Sequence, residues 1–139
     1  MKNFVYFIFA YFLLTAATCR KDIIENAAEQ QLIHKWKYTG RTGGFAGKTE
    51  KADPAVTQIL EFKKGMTFIK TTGGSVTDEG TYQISKEMSI YSGKEETAIR
   101  FNEKADSPQM AHVISIRKDT LIIADNVYDG FTTSYVKVK

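Results

Sequence analysis

From Leu32 to the C-terminus, apolar and polar residues alternate in short runs, and each run stops at residues that favour a reversal of the chain. The runs predict strands over 32–39, 56–63, 66–71, 80–85, 88–92, 97–102, 110–117, 121–125 and 132–138. Side chains alternate across a strand, so Leu60 with Phe62, Tyr82 with Ile84, Met88 with Ile90, Ile99 with Phe101, Ile114 with Ile116 and Leu121 with Ile123 each share one face. These pairs form the predicted core. In 110–117 the opposite face carries Ala111 and Val113, so that strand is expected to be covered on both sides.

The breaks are Lys63-Lys64-Gly65, Thr72-Gly73-Gly74, Lys86-Glu87, Lys118-Asp119 and Asp129-Gly130, residue types that accept tight turns. Short turns make consecutive strands antiparallel neighbours. The expected fold is therefore all-β, an antiparallel up-and-down meander closing into a small barrel of about eight strands. A two-sheet sandwich is the alternative. Closure removes strand edges that would otherwise pair with other chains. The stretch 40–55 reads as a long glycine-rich loop around Phe45, and 20–31 as a short helix or a spacer.

The N-terminus follows a different pattern. Lys2 precedes an apolar run from Phe4 to Ala17, and the one cysteine of the chain, Cys19, is followed at once by Arg20, Lys21 and Asp22. The run is short of the roughly 20 residues that span a bilayer, and it ends in small residues as an export signal does. Leu14-Thr15-Ala16-Ala17-Thr18-Cys19 resembles the box of bacterial lipoprotein signals, in which small residues lead to an acylated cysteine; Ala16 stands where leucine is usual. The resemblance implies a signal peptide over 1–18, acyl chains such as palmitate on Cys19, a linker over 19–31 and a domain over 32–139. It places the protein on a membrane of the bacterial cell envelope, most simply the outer membrane. A plain secretory signal cut near Ala17 is the alternative. A lone thiol in an exported chain could pair only with another molecule, which favours lipidation.

Further residues resemble small lipocalin-like domains of exported lipoproteins. Leu32-Ile33-His34-Lys35-Trp36 resembles the opening strand, with His34 where that family has glycine, and Ile59 to Gly65 the strand and turn that follow. Gly80-Thr81-Tyr82-Gln83-Ile84, Asp119 to Ile123 and Tyr135-Val136-Lys137 are similar to the later strands. The resemblance implies a barrel that holds a ligand or meets a partner, and a fold of this kind does not itself choose between them.

Charge and motifs narrow the function. The chain carries 19 Lys and Arg against 16 Asp and Glu, and the cations are scattered, without the basic stripe that nucleic acid requires. Gly43 to Thr49 resembles a phosphate-binding loop, but its first glycine would fall at Thr42 and Pro54 follows where a helix should begin. The two histidines, His34 and His112, and one cysteine offer no metal-ligand spacing. Asp78-Glu79 and Glu95-Glu96 point to opposite faces of a strand, and no nucleophile has a visible partner, so neither catalysis nor a cofactor is expected. The expected role is binding a small apolar or amphipathic molecule inside the barrel. His112 shares the inward parity of Ile114 and Ile116 and is the candidate polar anchor, Phe45 a lid residue, and Trp36 a plug or lining residue. The alternative is an interaction or inhibitor protein contacting another envelope protein through its loops.

Overall fold

A computed structural model describes residues 27–102 and 109–139. The expected signal segment, Cys19 and most of the linker lie outside the described residues. A short helix, α1, covers 27–32. It leads into β1 (Lys35–Gly43), β2 (Lys48–Lys51), β3 (Gln58–Lys63), β4 (Thr67–Thr72), β5 (Ser75–Met88), β6 (Glu95–Phe101), β7 (His112–Arg117), β8 (Thr120–Asp125) and β9 (Phe131–Lys137). All pairings are antiparallel, and β1 pairs with β9, so eight strands close a barrel to which β2 adds an extra strand. The sandwich alternative is excluded by that closure.

β1 carries three neighbours because its halves differ. Lys35 to Lys37 pair with β3, Gly40 to Gly43 pair with β2, and the opposite edge pairs with β9 over both halves. The loop expected over 40–55 is thus largely a hairpin. Two further expectations change in the same way. The separate strands over 80–85 and 88–92 are replaced by one long β5, and Lys86-Glu87 is paired to Thr97 and Glu96, not a turn. Met88 and Ile90, 60% and 37% exposed, leave the predicted core because the chain turns at Ser89.

The lower end of the barrel, where β1 starts and β9 finishes, is packed solid. Trp36, Leu60, Phe62, Tyr82 and Leu121 are all nearly inaccessible. Leu32 of α1 joins them from below, and its carbonyl accepts the Trp36 Nε1 proton at 2.8 Å, which satisfies the indole. Gly80 leaves room for the Asn102 side chain, whose Oδ1 accepts the Thr81 N–H at 3.1 Å; a Cβ at Gly80 would displace that amide.

The outer cover expected over β7 is supplied by the β5–β6 hairpin tip. Ala98, Val113 and Ala124 lie opposite one another on the outward face, and Ala98 and Val113 are buried. The tip reaches across them to the β8–β9 loop. Asn126 Oδ1 accepts from Ile90 N and Asn126 Nδ2 donates to Met88 O, both at 2.9 Å. The Tyr91 hydroxyl lies 2.9 and 3.1 Å from the carbonyl oxygens of Asp125 and Val127.

Candidate functional site

The upper end is the mouth, where the β1–β2, β4–β5, β6–β7 and β8–β9 connections gather. Strand parity carries the inward face from apolar to polar as each strand climbs. On β4, Phe68 is followed on the same face by Lys70; on β8, Leu121 and Ile123 are followed by Asp125; on β7, Ile116 and Ile114 lead up to His112. Ionisable groups therefore stand above the apolar plug, inside the wall.

Each finds a partner. Lys70 Nζ lies 3.0 Å from Asp78 Oδ2 on β5, and also 5.3 and 5.0 Å from the ring centres of Phe68 and Phe101, a cation held over two aromatic faces. His112 Nδ1 lies 2.9 Å from Asp125 Oδ1, and the His112 and Phe101 rings are 5.8 Å apart. Asp125 Oδ2 accepts the Phe131 N–H at 2.9 Å.

A bulge brings a further pair to the rim. The β1–β9 register shifts between Tyr38 and Gly40, which reverses the facing of later residues and sets Arg41 opposite Thr133. Arg41 Nε bonds Glu50 Oε2 at 2.7 Å and its guanidinium lies 4.5 Å from the centre of the Phe131 ring. The hydrogen bond from Arg41, then its charge, holds the Glu50 carboxyl below its ordinary pKa. Gly43 lets the wall close here: a Cβ would meet Gly130 O at 2.2 Å, and the φ of 141° is one that side chains avoid.

Beneath the rim, Tyr38 and Tyr135 meet edge to face at 5.9 Å. With Lys70, Gln58 and Leu60 they line a cavity of about 80 Å³. Burial, then the neighbouring Tyr38, pushes the Tyr135 phenol up to about 12. The space suits water-sized polar groups, since a single water occupies about 30 Å³ of liquid.

The residues expected at the site are scattered. His112 is inward and at the mouth, as its parity implied. Trp36 is 1% exposed and bonded to Leu32 at the opposite end, which makes it part of the plug. Phe45 is 95% exposed at the β1–β2 tip, on the rim. Lys70, Asp78, Asp125, Arg41 and Glu50 were missed. Inward parity with Phe68 and with Ile123 would have found Lys70 and Asp125; the bulge that turns Arg41 is marked only by Gly40, whose φ is 153°. Among the described residues, no three His, Cys, Asp or Glu side chains gather as metal ligands.

Comparison with known proteins finds no family model, no curated protein and no solved structure that matches the chain. The closed antiparallel barrel is compatible with a lipocalin-like fold.

Proposed function

We propose that this chain is a lipid-anchored binding module of the bacterial envelope, a lipocalin-like barrel without catalytic chemistry whose mouth takes a small amphipathic ligand. The observation that supports it is the inward-facing set Lys70, Asp78, His112 and Asp125 beside the rings of Phe68 and Phe101. Turning ionisable groups into a barrel costs desolvation, which water-facing positions on the same strands would avoid. A ligand with a charged end can replace one partner of such a pair and lay its apolar part on the rings. The 80 Å³ between Tyr38 and Lys70 is far below the roughly 300–1,000 Å³ of drug-sized sites, so a ligand of that size requires side chains at the mouth to move apart.

The test has separate parts for ligand and anchor. Native mass spectrometry of protein from its own host, and titration with the amphipathic fluorophore ANS, should show saturable occupancy. Lys70→Met and His112→Phe should each weaken it about tenfold, the loss of one hydrogen bond to a charged group. Labelled palmitate should enter the wild-type chain and not Cys19→Ser; label persisting in that variant would sink the anchor alone.

A second reading, an interaction protein, has its own support at the same rim. Phe45 and Tyr128 are 95% and 86% exposed, and Gly44 N donates to Gly130 O at 3.2 Å, so their loops form one surface. A domain that binds no small molecule but loses an envelope partner on Phe45→Ala with Tyr128→Ala would establish it.

A further inference from the structure

The two ends of the barrel differ in charge. The start of β1, the β3–β4 and β7–β8 turns and the end of β9 all meet at the lower end, and they carry Lys35, Lys63, Lys64, Arg117, Lys118 and Lys137. Among the described residues the acids nearby are Glu61, which takes Lys35 at 3.9 Å, together with Asp119 and Glu29. At the mouth, among the described residues, cations do not prevail: Glu50, Asp53, Asp78, Glu79, Asp125 and Asp129 stand against Arg41, Lys48, Lys51, Lys70 and Arg100.

At one point on the lower end two basic groups are forced together. Lys137 Nζ lies 2.7 Å from His34 Nε2, an arrangement that requires a neutral imidazole accepting from the ammonium group. Burial first, and the Lys137 charge second, lower the His34 pKa accordingly. Lys118, Gln30 and Gln31 stand beside this pair around a concavity of about 560 Å³, and among the described residues its lining contains no carboxylate. Its donors face open space and suit a group rich in acceptor oxygens, such as a phosphate.

The same end receives the chain from Cys19. The helix α1 sits beneath the barrel, and Arg20 to Asn26 alone separate it from the cysteine. At roughly 3.3–3.6 Å per extended residue, that segment keeps the lower end within on the order of 25 Å of anything attached to Cys19. An acyl anchor would thus hold this cationic end, and not the mouth, nearest the lipid.

We infer that the lower end of the barrel docks on an anionic phospholipid surface, seating a lipid phosphate against Lys118, Lys137 and His34. The inference rests on the anchored reading for the presence of a membrane, and on charge and shape for everything else. Cations close to an anionic leaflet are attracted within about a Debye length, so the contact should weaken with salt. It also orients the mouth away from the lipid.

The experiment uses the exported chain carrying Cys19→Ser, which has no acyl group, in sedimentation with phosphatidylglycerol vesicles and with phosphatidylcholine vesicles. Binding is expected to the first, falling as salt is raised, and not to the second. Lys118→Gln should lower the partition coefficient roughly fivefold, and Lys63→Glu with Lys64→Glu about tenfold or more. Lys48→Glu with Lys51→Glu, at the mouth, should leave it unchanged. Both double variants lie on exposed positions, and an unaltered circular dichroism spectrum certifies their fold. Equal affinity for the two vesicle types, or equal losses from the two double variants, would overturn the docking. Palmitate labelling of the unsubstituted chain reports on the anchor separately. An acylated chain whose Cys19→Ser form ignores phosphatidylglycerol refutes the docking and leaves the anchor standing; an unacylated chain that binds the vesicles does the reverse.

Discussion

His112 and Asp125 occupy directly opposed positions of β7 and β8, and their side chains meet at 2.9 Å across the mouth-facing surface. The second Asp125 oxygen accepts the Phe131 N–H, also at 2.9 Å, so one carboxylate holds a side chain on one neighbour and the backbone entry of β9 on the other. Asp125→Ala should therefore cost about 1–3 kcal/mol, because two part-buried donors lose their acceptor together. Asp125→Asn keeps an oxygen for Phe131 and should cost less. Urea midpoints of the two variants test this ordering; an alanine variant as stable as the wild type would mean that neither bond matters to the closed barrel.

Asn126 offers a second check, on the hairpin that wraps the outside of the wall. Its amide bridges the β8–β9 loop to Met88 and Ile90, at 2.9 Å each way, beside the Tyr91 hydroxyl on Asp125 and Val127. Asn126→Ala should lower stability by about 1–2 kcal/mol. Hydrogen exchange at the Ile90 amide should accelerate much more than exchange at Ile99 in the barrel wall, since the tip can open without unfolding the rest. Uniform acceleration would show that the tip and wall are one cooperative unit.

Strand periodicity made most of this architecture readable. Leu60 with Phe62, Tyr82 with Ile84 and Leu121 with Ile123 all point into the core, and the turn chemistry at Lys63-Lys64-Gly65 and Lys118-Asp119 gave the antiparallel order. The failures have local causes. Met88 and Ile90 alternate like a buried strand, yet the chain reverses at Ser89 and pulls them outward, where side-chain-to-backbone bonds to Asn126 hold the tip. Glycine at positions 40, 43, 44 and 47 suggested a loop, whereas three of them serve a bulge and a tight hairpin. The mouth was half legible: His112 follows from parity, but Arg41 faces Glu50 only because the bulge shifts register, and Gly40, its one sign in the sequence, reads equally as part of a loop.

Tyr82 carries a contradiction that a single substitution resolves. Its ring packs edge to face on Phe62 at 5.0 Å and is 1% exposed, yet its hydroxyl has no hydrogen-bond partner among the described residues. A buried donor without an acceptor carries a desolvation cost, so Tyr82→Phe removes a penalty while retaining the ring. The variant should gain about 1 kcal/mol, a rise in Tm of about 4 °C for a domain of this size. A loss of stability would show that the hydroxyl is engaged, in solution, by a water or by another group.

The same phenol and that of Tyr135 make the stability of the fold depend on pH in the alkaline range. Burial raises both from 10.0 to about 12, with Glu29 adding to the shift at Tyr82 and Tyr38 to that at Tyr135. Below pH 10 the tyrosines are protonated in the folded and unfolded chains alike, and their contribution to stability is fully present. Between 10 and 12 the unfolded chain releases these protons while the folded one retains them, so stability must fall as pH rises through that window. Thermal unfolding followed by circular dichroism should show Tm constant up to the start of the window and dropping across it. In Tyr82→Phe the drop should be shallower, because one of the two linked groups is gone. An identical drop in wild type and variant would mean that Tyr82 ionises as readily in the folded barrel as in the unfolded chain, and would place its hydroxyl in contact with solvent.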